Sequence, residues 1–149
     1  MFLVRRLGRH TVAQMITEVE AYDGLKDKAS HAHRGKTARN APMFEKSGRV
    51  YVYFTYGMHW MLNIVTGPKN YPAAVLIRST DKVTGPARLT KALRITGALN
   101  NKPLGKSAGL WIENRGVRIS PRDILRTPRI GVAYAGPIYS KKLYRFVLK

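Results

Sequence analysis

Cysteine and acidic side chains are what this chain lacks. It has no cysteine and only 8 Asp and Glu among 149 residues, against 27 Lys and Arg. The absence of cysteine excludes disulfides, thiolate zinc ligands and cysteine nucleophiles. No run of about 20 apolar residues is present that could cross a membrane. Arg5 and Arg6 interrupt the apolar start too early for a signal peptide. We therefore expect a cytoplasmic protein.

Positive charge dominates what is present. The formal net charge is +19, an excess that attracts polyanions and makes their binding fall steeply with salt. Nucleic acid is the predicted partner, because an anionic membrane would favour an amphipathic basic helix and none is evident. Half of the acidic residues nevertheless lie within ten positions: Glu18, Glu20, Asp23 and Asp27. These carboxylates are either ordinary solvated surface charges or residues with a functional role.

The order of apolar and turn-forming segments predicts an α+β fold. Residues 1–149 are expected to form one domain, with a curved, mostly antiparallel sheet and a few short helices. Strands are predicted at 2–4, 12–22, 50–56, 61–66, 73–79, 111–112, 117–119, 130–134 and 143–148. Helices are predicted at 43–46 with Asn40 as N-cap, from Pro86 to about Ile95, and for one turn at 120–123. The nearly continuous apolar run 73–79 is expected in the interior of the sheet.

Aromatic residues are concentrated in the predicted hairpin. Five of them lie within ten positions: Tyr51, Tyr53, Phe54, Tyr56 and Trp60. Tyr51 and Tyr53 fall on one face of their strand, and Tyr56 lies at the corner, where a side chain projects. In a very basic chain such rings suit stacking on nucleobases. The alternative is that the strand aromatics simply pack in the core.

Glu20 and Tyr22 form the second candidate feature. Successive strand side chains alternate between faces, so Glu18, Glu20 and Tyr22 share one face. A carboxylate there could accept a proton from water, and the neighbouring ring could hold a planar substrate. The alternative is the polar outer face of an edge strand.

His31 and His33 do not make a convincing metal site. No cysteine can complete such a site, and Asp27 is the only nearby carboxylate. His31 is better suited to stacking or hydrogen bonding. The sequence also has no glycine-rich phosphate loop and no nucleophile elbow. We therefore expect neither a metal nor a cofactor.

The ordered set of motifs resembles the alkyladenine DNA glycosylase (3-methyladenine DNA glycosylase) family. Its most specific pieces are Glu20-Ala21-Tyr22 and Tyr56-Gly57-Met58-His59. The resemblance runs through nearly the whole chain, at residues 16–22, 30–32, 37–40, 43–44, 52–59, 63, 75–78, 85–89, 128–132 and 144–146.

The resemblance implies excision of alkylated or deaminated purines from double-stranded DNA. Glu20 resembles the family's general base, which activates the water that hydrolyses the N-glycosidic bond. Arg78 matches an arginine close to that base and to the DNA backbone. No metal, cofactor or covalent intermediate is implied. The expected enzyme is a monofunctional monomer of the bacterial nucleoid or, in a eukaryote, of the nucleus.

The resemblance also assigns the pocket and the DNA contacts. Tyr22, His31 and Tyr53 match the walls that sandwich a flipped base, and Asn63 matches a residue that rejects the amino group of guanine. Tyr56 resembles the side chain that fills the space left by the base, and Met58 accompanies it as a DNA contact.

The resemblance is to an unusually short form of the family. Only nineteen residues precede Glu20, and six residues, 79–84, bridge Arg78 and Gly85 where the family has a longer segment. Two other functions stay open on the sequence. One is a non-catalytic basic nucleic-acid-binding protein of the ribosomal type, and the other is a module that binds lesions without cutting.

Overall fold

The computed structural model describes residues 1–149 as eight strands, two short α-helices and five one-turn 3₁₀ helices. The strands are β1 (Phe2–Leu7), β2 (His10–Asp23), β3 (Val50–Thr55), β4 (His59–Val65), β5 (Ala73–Thr80), β6 (Leu110–Glu113), β7 (Ile124–Thr127) and β8 (Arg145–Leu148). The α-helices are α1 (Pro86–Ala92) and α2 (Gly136–Tyr139). The 3₁₀ helices are Ala41–Phe44, Gly97–Leu99, Lys106–Ala108, Pro121–Asp123 and Ala133–Ala135. None of the helices is long and apolar enough to span a membrane.

All strands join one curled antiparallel sheet, so the predicted α+β class is confirmed. The strand order is β3-β4-β5-β2-β1-β6, and β8 pairs with both β2 and β7. The long strand β2 pairs with β1 through residues 10–15 and with β5 through residues 16–23. Its segment Glu18 to Glu20 also pairs with β8. Glu20 therefore lies on an interior strand, which contradicts the edge-strand alternative.

The two faces of the sheet differ in character because side chains alternate along each strand. One face is apolar and packs against Leu89 of α1 and Leu93, the residue that follows the helix, through the strand residues Val50, Val52, Leu62, Ile64 and Ile77. The residues between these point to the opposite face, which carries Glu20, Tyr51, Tyr53, Asn63, Leu76 and Arg78. The helix thus covers one face and leaves the polar and aromatic face to form a cavity.

Two of the predicted strands are wrong. Residues 117–119 form no strand, because the chain turns away after β6 at Gly116, which has φ +75° and whose N–H is accepted by Asn114. The strand in this part of the chain is β7, which pairs with β8. Residues 130–134 form a turn and the start of a 3₁₀ helix, because the Ile130 N–H is bonded to a carboxylate of β2 rather than to a strand.

Two helix details also differ from the prediction. Asn40 makes no capping hydrogen bond to the 3₁₀ helix that follows it. Its side chain instead accepts from the Thr37 N–H and donates to the carbonyls of His31 and Gly35, which fixes the loop before the helix. Helix α1 ends at Ala92 rather than near residue 95, because Arg94 adopts a left-handed conformation with φ +48°.

Candidate active site

The polar and aromatic face of the sheet contains an open cavity of about 320 Å³. Such a volume is near the lower end of small-molecule sites, which hold about 300–1,000 Å³. Seven of the eight predicted site residues line it: Glu20, Tyr22, His31, Tyr53, Tyr56, Asn63 and Arg78. Met58 does not, and lies in a neighbouring groove. Residues that strand periodicity placed on one face of their own strands thus meet in one cavity, although they are far apart in the chain.

Glu20 lies at the floor of the cavity with no surface exposed to solvent. Its Oε2 accepts a hydrogen bond from the Tyr22 hydroxyl at 3.0 Å, and its Oε1 accepts one from the Ile130 N–H at 2.8 Å. Arg78 Nη1 lies 3.3 Å from the same Oε1. A carboxylate that is buried away from water requires hydrogen-bond or charged partners of this kind. Burial and the nearby Glu20 raise the pKa of Tyr22, so its hydroxyl stays protonated and able to donate.

Glu18 holds two arginines beside this carboxylate. Its Oε1 accepts from Arg78 Nε at 2.8 Å and from Arg145 Nε at 2.6 Å, and its Oε2 accepts from the Ser79 hydroxyl at 2.6 Å. Burial alone would raise the pKa of Glu18, but the hydrogen bonds from Ser79, Arg145 and Arg78 lower it. Glu18 is therefore ionised at neutral pH and fixes the guanidinium of Arg78 next to Glu20.

An aromatic wall stands on the β3 side of the cavity. His31 Nδ1 lies 2.9 Å from the Tyr51 hydroxyl, and the His31 ring meets the Tyr53 ring edge-on at a centroid distance of 4.5 Å. Burial, followed by the charge of Arg39, lowers the pKa of His31, so its imidazole is neutral at pH 7. Burial raises the pKa of Tyr53 to about 12. The wall is therefore uncharged and suits contact with a planar ring.

Asn63 lies beside this wall on β4. It is almost completely buried, and its Nδ2 donates to the Tyr51 carbonyl at 3.3 Å. This bond ties the amide to the neighbouring strand, so the side chain presents a fixed edge to the cavity.

Tyr56 occupies the tip of the hairpin between β3 and β4. It is 81% exposed and has φ +52°, a left-handed conformation that non-glycine residues adopt at a cost. Gly57 follows with φ +66°, and the Met58 N–H bonds to the Thr55 carbonyl. Positive φ at both central residues defines a type I′ turn. The strained turn holds a large ring out at the rim of the cavity.

A buried ion pair supports the far wall and was missed by sequence reasoning. Arg129 Nη1 and Nη2 bond to Asp27 at 2.6 and 2.8 Å, and Nη1 also bonds to the Ala21 carbonyl. The guanidinium lies against the ring of Tyr22 at 4.7 Å. This pair fixes the segment that carries Ile130, whose N–H reaches Glu20. The sequence signals were Asp27 in the acidic cluster and Arg129 in the segment 128–132 that resembles the family, and nothing in the sequence paired the two.

No group of three or more His, Asp or Glu side chains lies close enough to hold a metal ion. His31 is committed to the contacts with Tyr51 and Tyr53. The cavity instead combines a buried carboxylate, a cation beside it, neutral aromatic walls and a projecting ring.

The chain matches one protein family over its whole length. The model of the methylpurine-DNA glycosylase (MPG) family matches residues 1–84 and 79–149. The two matched pieces meet at residues 79–84, the connection that was noted above as shorter than the family's.

Individual relatives agree with this match. The chain is 42% identical to a protein of Methanocella arvoryzae, over 90% of this chain and 76% of that protein. It is 41% identical to a protein of Ehrlichia ruminantium, over 90% of this chain and 73% of that protein. A protein of Borreliella burgdorferi is 37% identical over 99% of this chain and 84% of its own length. All three are named, provisionally, 3-methyladenine DNA glycosylases.

Proposed function

The chain belongs to the methylpurine-DNA glycosylase family, and we propose that it flips damaged purines out of duplex DNA and hydrolyses their glycosidic bond. The observation that carries this proposal is the position of Glu20, a buried carboxylate at the floor of a cavity with aromatic walls. A carboxylate that only contributed surface charge would be solvated, whereas Glu20 contacts a hydroxyl, a backbone N–H and a guanidinium. The substrate class is an alkylated or deaminated purine in double-stranded DNA.

In the proposed reaction a water molecule attacks C1′ of the deoxyribose and loses a proton to Glu20. The bond between C1′ and the purine nitrogen breaks, and the purine leaves with the electron pair. The products are a free base and an abasic site. General-base assistance of this kind is worth about 10²–10⁴-fold. Purines alkylated at N3 or N7 are good leaving groups already, whereas hypoxanthine demands more from the protein.

Extrusion of the base is supported by the aromatic residues around the cavity. Flipping a nucleotide costs a few kcal/mol and costs less for a damaged or mispaired base. Stacking on an aromatic ring returns about 1–3 kcal/mol. Tyr22, His31 and Tyr53 provide the stacking surfaces in the proposed complex, and Tyr56 fills the gap in the duplex. Asn63 presents its fixed amide to the purine edge and excludes the exocyclic amino group of normal guanine.

The proposed enzyme is monofunctional, because strand cleavage by a lyase needs an amine to form a Schiff base with C1′. None of the residues that line the cavity is a lysine. Arg78 offers a guanidinium rather than a free amine, and it serves as a counter-charge for Glu20 instead.

The test is single-turnover base release from duplexes that carry hypoxanthine, ethenoadenine or 7-methylguanine. Wild type should release at least one of these bases, and Glu20→Gln should bind the same duplex but fail to cut it. Binding of a lesion duplex without release by wild type would identify a lesion-binding module. Equal binding of damaged and undamaged DNA would identify a general nucleic-acid-binding protein.

A further inference from the structure

A second groove, of about 520 Å³, lies next to the cavity. It is formed between the hairpin tip and α1. Met58, His59 and Trp60 contribute from the hairpin, and Arg88, Lys91 and Arg94 contribute from the helix and its C-terminal end. Neither the cavity nor the chemistry of Glu20 uses these cations.

The three cations of this groove are exposed and have no acidic partner. Arg88 and Lys91 are three residues apart and share one side of α1, and Arg94, just beyond the C-terminal end of the helix, lines the same groove. None of them forms a salt bridge, and no acidic residue lines the groove. Leu89 on the other side of the helix and Leu93 directly after it are buried in the core, so the basic side cannot turn inward. Like charges this close repel one another, and a bound polyanion would relieve that repulsion.

The groove and the cavity lie on opposite sides of one ridge. At the hairpin, Thr55 and Tyr56 line the cavity, whereas Met58 and His59 line the groove. At the start of α1, Pro86 lines the cavity and the next residue, Ala87, lines the groove. The exposed ring of Tyr56 stands at the crest of this ridge.

We propose that the groove holds the sugar-phosphate backbone of the undamaged strand, with Arg88, Lys91 and Arg94 on its phosphates. This inference rests on the proposed function. If a flipped purine occupies the cavity, its own strand runs along the cavity side of the ridge. Tyr56 then enters the stack from the crest. The opposite strand passes on the other side of the ridge, where the unpaired cations of α1 lie.

The assignment explains why Met58, a large apolar residue, is exposed at the groove side of the tip. It is 66% exposed and faces the groove rather than the core. Proteins that bend DNA from the minor groove insert apolar side chains, methionine among them, between base steps and partly unstack them. Met58 is thus assigned to the opposite strand rather than to the flipped nucleotide.

The test compares two variants with equal loss of charge, both in the Glu20→Gln background so that DNA is not cut. The groove variant carries Arg88→Gln, Lys91→Gln and Arg94→Gln. The control carries Arg9→Gln, Arg118→Gln and Arg122→Gln, which are exposed and line neither the cavity nor the groove. Dissociation constants for a hypoxanthine oligonucleotide are measured against salt, as duplex and as single strand, after circular dichroism has verified folding.

For the duplex, the salt slope of the groove variant should fall by about 0.9 for each lost phosphate contact, while the control keeps the slope of the Glu20→Gln parent. For the single strand, the groove variant and the control should bind alike. Uncharged methylphosphonate linkages in the undamaged strand should weaken duplex binding by the Glu20→Gln parent and leave binding by the groove variant unchanged. The same linkages in the damaged strand should weaken both proteins equally.

If the groove variant loses as much affinity for single-stranded DNA as for the duplex, the assignment to the undamaged strand is overturned. If the control variant loses as much duplex affinity as the groove variant, only the total charge matters and the assignment is again overturned. Failure of the proposed function is a separate outcome, because it would show as no lesion preference and no excision in the protein without these substitutions.

Discussion

The hydroxyl of Tyr22 donates to Oε2 of Glu20 across 3.0 Å, two residues along the same strand. Oε1 already accepts from Ile130 and lies close to Arg78. In the proposed reaction Oε2 is therefore the oxygen that faces the attacking water, and the Tyr22 hydroxyl is already bonded to it. Because Glu20 has no exposed surface in this arrangement, the proposal requires the Tyr22 hydroxyl to shift and admit the water as substrate binds.

Two substitutions of Tyr22 test the roles of its ring and of its hydroxyl separately. Tyr22→Phe keeps the ring and removes the competing donor, so we expect single-turnover excision at the wild-type rate or faster. Tyr22→Ala removes the stacking surface, which is worth about 1–3 kcal/mol per base, and should weaken lesion binding accordingly. Rates and dissociation constants on one hypoxanthine duplex check both variants. A tenfold or slower rate in Tyr22→Phe would mean that the hydroxyl assists the reaction.

Glu18 should affect the rate of excision more than the binding of DNA. Glu18→Gln removes the charge that holds Arg78 and Arg145, and misplacement of about 1 Å near a reacting group can cost 10²-fold. We expect the single-turnover rate to fall by up to about that factor while lesion-duplex affinity stays the same or rises slightly.

A matched control is Glu113→Gln, which removes the same charge from a surface pair with Arg115. Its rate should equal that of wild type. Glu18→Asp should recover part of the loss. If Glu18→Gln binds poorly but cuts bound DNA normally, the network serves binding and not positioning.

The Asp27–Arg129 pair should make the fold sensitive to acid. Burial opposes ionisation, but the hydrogen bond from Arg129 holds the pKa of Asp27 below its ordinary value. Its contribution to stability is therefore full above the unfolded pKa of about 3.9 and is lost as pH falls through the lower folded pKa. Asp27→Asn leaves a buried guanidinium without its counter-charge, which costs about 3–5 kcal/mol at neutral pH.

Urea unfolding from pH 7 down to pH 2 checks this prediction. The difference in unfolding free energy between wild type and Asp27→Asn should shrink below about pH 3.9. The double variant Asp27→Asn, Arg129→Met should recover much of the loss, since it removes both charges. A difference that stays constant over the whole range would contradict the assigned role of the pair.

We expect the residue at position 56 to lower the stability of the fold through its backbone strain while its ring is needed for activity. Its left-handed conformation costs a non-glycine residue roughly 1–2 kcal/mol, and glycine avoids that cost. Tyr56→Ala keeps the strain and removes the ring, whereas Tyr56→Gly removes both. We expect both variants to lose excision and lesion affinity, and Tyr56→Gly to be the more stable of the two. Thermal melting and single-turnover rates decide this, and an unchanged rate in Tyr56→Ala would rule out the role in the duplex.

Strand periodicity predicted which residues share a face of the sheet, and it left open whether that face forms a cavity, packs in the core or meets solvent. Tyr51 and Tyr53, like Glu20 and Tyr22, share a face because strand side chains alternate with a period of two. The apolar run of β5 was correctly expected in the interior of the sheet. These features depend on residues that are close in sequence.

The contacts that complete the site depend on residues distant in sequence, and for that reason the sequence could not predict them. Arg129 lies 102 residues from Asp27, and Ile130 lies 110 residues from Glu20. The apolar and β-branched composition of 130–134 predicted a strand, but the N–H of Ile130 donates to the carboxylate of Glu20 instead of to a neighbouring strand. Nothing in a local pattern says which of 27 basic residues will meet a given acid.

The span of these contacts along the chain also bears on protein synthesis. Arg145 reaches Glu18 across 127 residues, and Arg129 and Ile130 come only slightly earlier. A chain emerging from the ribosome in order therefore carries both glutamates long before it carries the groups that position them. We expect a nascent chain to be inert toward DNA until Arg145 has been made, so the carboxylates of the site wait for their partners through most of the synthesis of these residues.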